Sequence, residues 1–306
     1  KILYNKMSIE EICKKYGIEN YTINGDGSID VDGLVDLSNE VLTEIPLIFN
    51  KVQGEFSCVD NKLTDLKGSP KWVGGSFYCY NNNLTSLSGG PEKIVGDFFC
   101  ESNYLTSLEG GPESVGYDYD CSSNKLTDLK GAPRKIGGHF NCSNNYLTTL
   151  EGSPKSVGDG FDCGGNNLTS LEGSPKSVGG KFYCEYNKLT SLEGSPESVG
   201  GGFYCVNNNL TSLEGSPESV GGNFYCFNNN LTSLEGSPKS IGGNFYCRNN
   251  PIESMFNDAD IDFIRAFNTF KAIKDGVVNL KRLRYVMEMF DKPIDIEKIE
   301  KYYTIK

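Results

Sequence analysis

A cysteine stands every 21 residues, ten times in succession: Cys58, Cys79, Cys100, Cys121, Cys142, Cys163, Cys184, Cys205, Cys226 and Cys247. Three residues after each comes an asparagine, from Asn61 to Asn250. Two residues further on comes a leucine, from Leu63 to Leu231, with Ile252 closing the series. A period held without a slip restricts the chain to a stack of like coils. One coil alone has nothing to bury its apolar side chains against, so neighbours must supply the core.

The segment Gly222 to Gly243 shows how one coil is built. Asn223, Phe224, Tyr225 and Cys226 alternate as a short strand, with Phe224 and Cys226 inward and Asn223 and Tyr225 outward. Asn229 follows at the bend, where its amide is expected to bond backbone groups of its own and the adjacent coil. Leu231 and Leu234 point inward, Gly236-Ser237-Pro238 turn the chain, and Ile241 (valine in most copies) adds an anchor. Gly242 and Gly243 make the return to the next strand. Equivalent side chains in adjacent coils stand about 4.8 Å apart. Inward cysteines at that spacing read as small apolar packing groups in a reducing compartment. A zinc ladder is not expected, because a straight row does not surround an ion tetrahedrally.

The ends depart from the period. Ser8 followed by Glu11 is a capping box, and Ile9, Ile12, Cys13 and Tyr16 give a short helix an apolar face. Ile23, the Asn24-Gly25-Asp26-Gly27 turn, Ile29 and Val31 predict a hairpin, and Val35, Leu37, Leu42 and Ile45 a degenerate first coil. After Ile252, Asp258, Asp260 and Asp262 favour a helix start, with Phe263 to Lys274 along its course and Asp275-Gly276 as its stop. A second helix is expected from Asn279 through Phe290, and a third after Pro293. The expected division is 1–30 as an N-terminal helix and hairpin cap, 31–252 as the solenoid, and 253–306 as a helical C-terminal cap.

The formal charge is -11. Acidic and basic residues cancel from Glu253 onward, so the whole excess lies in the repeats. An acidic stack is repelled by phosphate backbones, which argues against nucleic-acid binding. No apolar run approaches the roughly 20 residues that cross a bilayer, and Lys1 to Lys6 carry no visible secretory leader. The spacing of Ser28, Asp30, Asp32 and Gly33 falls short of a calcium loop, because Asn39 stands where the closing glutamate belongs. No catalytic residue, metal or cofactor is expected. His139, the only histidine, and Cys142 lie three apart on a strand and face opposite ways, which excludes a Cys-His nucleophile.

The phrases Asn229 to Pro238 (Asn-Asn-Leu-Thr-Ser-Leu-Glu-Gly-Ser-Pro), Gly221 to Cys226 (Gly-Gly-Asn-Phe-Tyr-Cys) and the entry Tyr21 to Leu37 resemble leucine-rich repeats. They are closest to the short bacterial class with proline after the leucines and, in wording, to leucine-rich-repeat proteins of tailed bacteriophages. The resemblance spans Val31 to about Ile252. Two departures stand out: Phe and Cys replace the usual aliphatic strand residues, and the Gly-Gly pair adds a residue. The implied fold is a β-solenoid-like α+β chain. It is a leucine-rich-repeat, right-handed parallel solenoid of about eleven 21-residue coils between the two caps. The resemblance implies a non-enzymatic protein–protein interaction scaffold, a bacteriophage protein acting in the reducing cytoplasm of an infected host cell on a host or defence protein. A virion structural or assembly component and a small-molecule-sequestering protein are the alternatives. The oligomeric state is not legible.

Candidate contact residues lie on the outward strand column: Ser57, Tyr78, Phe99, Asp120, Asn141, Asp162, Tyr183, Tyr204, Tyr225 and Tyr246. Its last four members form a tyrosine stripe, with Tyr186 and Phe227 beside it. Exposed aromatics in a row mark a binding face, or else they form a ladder that only stiffens the sheet. The expected partner-binding set is Tyr183, Tyr204, Tyr225, Tyr246, Phe227, Tyr186, Tyr78 and Phe99. Asp97, Asp118, Asp120, His139 and Asp162 form a polar patch on the middle coils, and Glu109 to Glu235 an acidic edge. Trp72, the only tryptophan, is read as covering the edge of an early coil.

Overall fold

Each coil makes two short parallel strands, not one. A computed structural model describes residues 7–256, 261–274 and 276–306. The expected roles of Lys1 to Lys6, of Asp258 and Asp260 at a helix start, and of Asp275 at a helix stop fall outside the described residues. The chain forms two compact units. One runs to Tyr146 and includes Gly152–Val157; the other comprises Leu147–Glu151 and Gly158–Lys306. Both are parallel β-solenoids of the 21-residue coil, and ten cysteine-bearing coils follow a degenerate first one.

In the N-terminal unit the Phe-containing strands pair in register, Val35 with Phe56, then Phe77, Phe98, Tyr119 and Phe140. In the C-terminal unit the series runs from Phe161 through Phe182, Phe203 and Phe224 to Phe245. These rings stack inside the coil, as with Phe182 and Phe203, 5.2 Å apart and within 4° of parallel. The second strand carries the Val or Ile anchor, as in Ser198–Val199 paired with Ser219–Val220. It forms its own sheet in each unit, and in the N-terminal unit that sheet begins with the antiparallel hairpin Tyr21–Ile23 and Ile29–Val31. The helix Ile9–Lys15 has the expected capping box at Ser8 and Glu11. Trp72 lies half-buried on this second sheet, with the Lys51 ammonium 4.7 Å from its ring.

The buried asparagine closes each coil onto the one before. In Asn208, Nδ2 donates to the carbonyls of Cys205, Val206 and, one coil earlier, Cys184, while Oδ1 accepts the Leu189 amide at 3.0 Å. Every polar atom of that amide is used, so a bend that would leave buried backbone groups unpaired is satisfied. The first glycine of each Gly-Gly pair is required for stacking, not for a left-handed turn. A Cβ on Gly221 would stand 2.1 Å from the Gly200 carbonyl oxygen of the coil below. The left-handed glycine is the one before Ser-Pro, as at Gly215 with φ 82°.

The C-terminal segment is less helical than its sequence reads. The first helix is described from Ile261 and ends at Thr269, not Lys274. Lys271 adopts φ 47°, which breaks the helix, and Ile273–Lys274 pairs antiparallel with Val277–Val278. Thr304–Ile305 then joins in parallel, so two further helices, Leu280–Met289 and Ile296–Glu300, accompany a three-stranded sheet. This segment packs on the last coils: Asn268 donates to the Leu234 carbonyl at 2.8 Å and the Tyr303 hydroxyl to that of Thr232 at 3.0 Å.

Candidate partner-binding face

The outward column of the front strands sits between inward Phe and Cys, so each of its side chains stands over a filled core. In the C-terminal unit, Tyr183, Tyr204, Tyr225 and Tyr246 are half-buried and stack on one another. Their ring centroids are 4.6, 4.6 and 4.9 Å apart, with planes 23°, 15° and 11° from parallel. The faces of these rings are therefore taken up by one another, and the edges and hydroxyls remain to meet a partner. Asn223 Nδ2 donates to the Tyr225 hydroxyl at 2.7 Å and Asn244 Nδ2 to that of Tyr246 at 3.0 Å. Each phenol keeps its own proton to donate. Lys181 bonds the Tyr183 hydroxyl, and its ammonium is held above the usual lysine range by the neighbouring Tyr183 and Tyr204 phenols.

Phe227 meets Tyr225 edge-on at 6.4 Å and carries the Arg248 guanidinium 6.0 Å from its centroid. Tyr186 is 65% exposed, but it lies past the strand at φ 54°, outside the stacked ladder. Tyr78 and Phe99 belong to the N-terminal unit and form a separate tilted pair at 5.3 Å, with Tyr80 edge-on to Tyr78 at 6.4 Å. The structure thus gathers the predicted contact residues into two groups, one per unit. Tyr80 joins the smaller group without having been singled out in the sequence, although its place one past Cys79 is an outward position.

The polar patch read from the middle coils is bound up in structural hydrogen bonds. Asp97 Oδ1 accepts the Asp118 amide at 3.0 Å, and Asp118 Oδ1 accepts the His139 amide at 2.7 Å. Asn223 Oδ1 does the same for Asn244 in the C-terminal unit. Asp120 accepts from the Ser122 amide and from Asn141 Nδ2, both at 2.8 Å, and Asp162 from the Gly164 amide at 2.8 Å. These carboxylates cap amides at the strand edge. Lys239, four residues past Glu235 of the acidic edge, pairs instead with Glu218 of the coil before it at 2.7 Å.

Two glutamates one past their cysteines are unusual. Glu101 and Glu185 are half-buried, and in each Oε2 is buried without a hydrogen-bond partner. Burial pushes both carboxyls up to about 7, their own backbone amides oppose this, and Asp120 and Asp162 respectively add to it. The thiols are all free and buried. Burial pushes Cys58 up to about 12 and holds Cys79, Cys100, Cys121, Cys163, Cys184 and Cys226 well above the usual thiol range. A thiol kept protonated and covered is not a nucleophile. Among the described residues, no group of three or more His, Cys, Asp or Glu side chains is placed to hold a metal ion. No described helix is long and apolar enough to cross a membrane.

No protein-family model matches the chain, and no curated protein matches it in sequence. Among solved structures it is similar to YopM from Yersinia enterocolitica WA-314, with a TM-score of 0.43 and 19% identity over 71% of this chain. The match spans 56% of that chain, little more than half its length. The leucine-rich-repeat character of the coil rests on its own parts: the strand, the fully bonded asparagine and the two buried leucines.

Proposed function

We propose that the protein is a non-enzymatic interaction scaffold that binds a protein partner through the front strand face of its C-terminal unit. The stacked tyrosine ladder carries this reading. Four phenol edges, bordered by Phe227 and Arg248, form a continuous strip of aromatic and hydrogen-bonding surface, the composition that favours protein contacts. The resemblance to phage leucine-rich-repeat proteins supports an infected bacterial cell as the setting and a host or defence protein as the partner. The test is affinity capture from infected-cell lysate with wild-type protein and with Tyr204→Ser/Tyr225→Ser, read by mass spectrometry. Proteins held by the wild type and lost from the variant support the reading; an unchanged set of captured proteins refutes it.

A further inference from the structure

Among the described residues, Glu185 and Arg248 on this face make no ion pair. Glu185 is half-buried, and its Oε2 is covered and has no hydrogen-bond partner. The Arg248 guanidinium rests over Phe227. Both belong to the column one past the cysteines, which reads Glu185, Val206, Phe227, Arg248 in successive coils. The column has an acid at one end and a base at the other, about 14 Å apart at the usual strand spacing. Between them Val206 is buried and Phe227 stands half-exposed.

We propose that this face docks on the same face of a second copy of the chain, with the two stacks of coils antiparallel. The proposal rests on the reading of the strand face as a docking surface and names its partner. A two-fold axis along the strands, between the Tyr204 and Tyr225 coils, sets Glu185 opposite Arg248 of the second copy, and Arg248 opposite its Glu185. The same operation sets Val206 against Phe227, Tyr204 against Tyr225, Tyr183 against Tyr246, and Lys181 against the Asn244 amide. No like charges meet. A slip of one coil in either direction loses both ion pairs, so the register is specified. The contact is isologous and closes on itself, giving a dimer and not a filament. Four coils by about five residues of each, the two-residue strand and its flanks, cover roughly 300 Å² per copy, well short of the about 800 Å² per partner of stable complexes. The dimer is therefore weak and concentration-dependent, and a partner with a larger footprint on the ladder displaces it.

Sedimentation equilibrium up to millimolar protein at low salt tests this. The wild type is expected to dimerise. Arg248→Glu and Glu185→Arg should each weaken the dimer about tenfold or more, and the double reversal E185R/R248E should return it to within about threefold of wild type. Melting curves on the same samples establish that each variant is folded, and Glu185→Gln and Arg248→Gln replace any reversal that is not. A wild type that stays monomeric, single reversals without effect, or a double reversal that fails to restore the dimer would each overturn the proposal. Parallel stacks would pair Glu185 with Lys181 instead; a dimer that responds to Lys181→Glu and ignores Arg248→Glu also overturns it. A monomeric wild type whose partner capture still depends on Tyr204 and Tyr225 removes the self-pairing and leaves the scaffold reading standing. A dimer and a captured set both indifferent to those tyrosines remove both.

Discussion

Glu101 and Glu185 make the fold less stable as pH rises through neutrality. Each carboxyl is raised from 4.5 to about 7, chiefly by burial. Below the unfolded value both states are protonated and nothing is lost. Between that value and about 7 the unfolded chain releases the proton first, so stability falls, and above this window the loss is complete. At about 1.4 kcal/mol per pH unit, a fully buried group would lose about 3 kcal/mol. Both groups are half-exposed, and solvent screening reduces this to about 1 kcal/mol each. The charges facing them are Asp120 near Glu101 and Asp162 near Glu185, with the phenols of Tyr80 and Tyr204 also close. Glu55, raised by burial and Asp36, adds in the same direction. Asp26 and Asp65, lowered by hydrogen bonds to Ser28 and Lys67, act with the opposite sign, but only in more acid solution. Thermal melts followed by circular dichroism should therefore fall by about 4 °C from pH 5 to pH 8, equivalent to about 2 kcal/mol. Glu101→Gln/Glu185→Gln should flatten that slope and melt higher than wild type at pH 8. A wild type that melts alike at both pH values, or a double variant that keeps the slope, would refute the reasoning.

Asn208→Ala should cost about 2–4 kcal/mol in urea unfolding, because it strands the buried Leu189 amide and removes one of the two hydrogen bonds to the Cys184 carbonyl of the coil before, leaving only that from Asn187; a loss under about 1 kcal/mol would mean the ladder is not what joins the coils. Tyr119→Phe should stabilise by about 1–2 kcal/mol, since the Tyr119 hydroxyl is buried without a hydrogen-bond partner. A drop in melting temperature would show that the hydroxyl is satisfied after all. Stability should fall again above about pH 9, where unfolded thiols ionise and the folded ones, held up by burial, do not. Thiol-reactive dyes should accordingly label the ten repeat cysteines only on unfolding, and fast labelling of the native protein would contradict their burial.

The coil was legible because its constraints recur at one spacing. An inward ring, a cysteine, a fully bonded asparagine and two leucines each repeat in sequence because each coil makes the same contacts with the next. The second sheet escaped notice for the opposite reason. Its strands are two residues long, as at Ser198–Val199, and a single inward valine leaves no alternation to read. The C-terminal segment was read as too helical because Phe263, Phe267 and Phe270 keep helical spacing up to the break, and the left-handed turn at Lys271 has no glycine to announce it. Asp97 and Asp118 looked like free acids because the amides they cap lie 21 residues away. Glu101 and Glu185 looked like ordinary outer charges. At Glu185 the available signal was its neighbours in adjacent coils, Gly164 and Val206, which are small enough to let a carboxyl sink.

The tyrosine ladder was legible as composition but not as chemistry, and the difference bears on its ligand. Outward tyrosines in four successive coils could show faces, edges or hydroxyls, and sequence does not choose among them. Strand spacing chooses: centroids 4.6–4.9 Å apart leave no room between rings. A sugar or nucleobase gains most from an open aromatic face, and such a face remains only at the ends of the stack. Sequestration of a small molecule along the stripe is therefore disfavoured. A polypeptide surface is better matched, because it contacts edges and hydroxyls over several coils at once. Identical hydroxyls repeated up the ladder cannot fix a register by themselves. Register must come from the column where adjacent coils differ, at Glu185, Val206, Phe227 and Arg248, so substitutions there should change which partner binds more than whether one does.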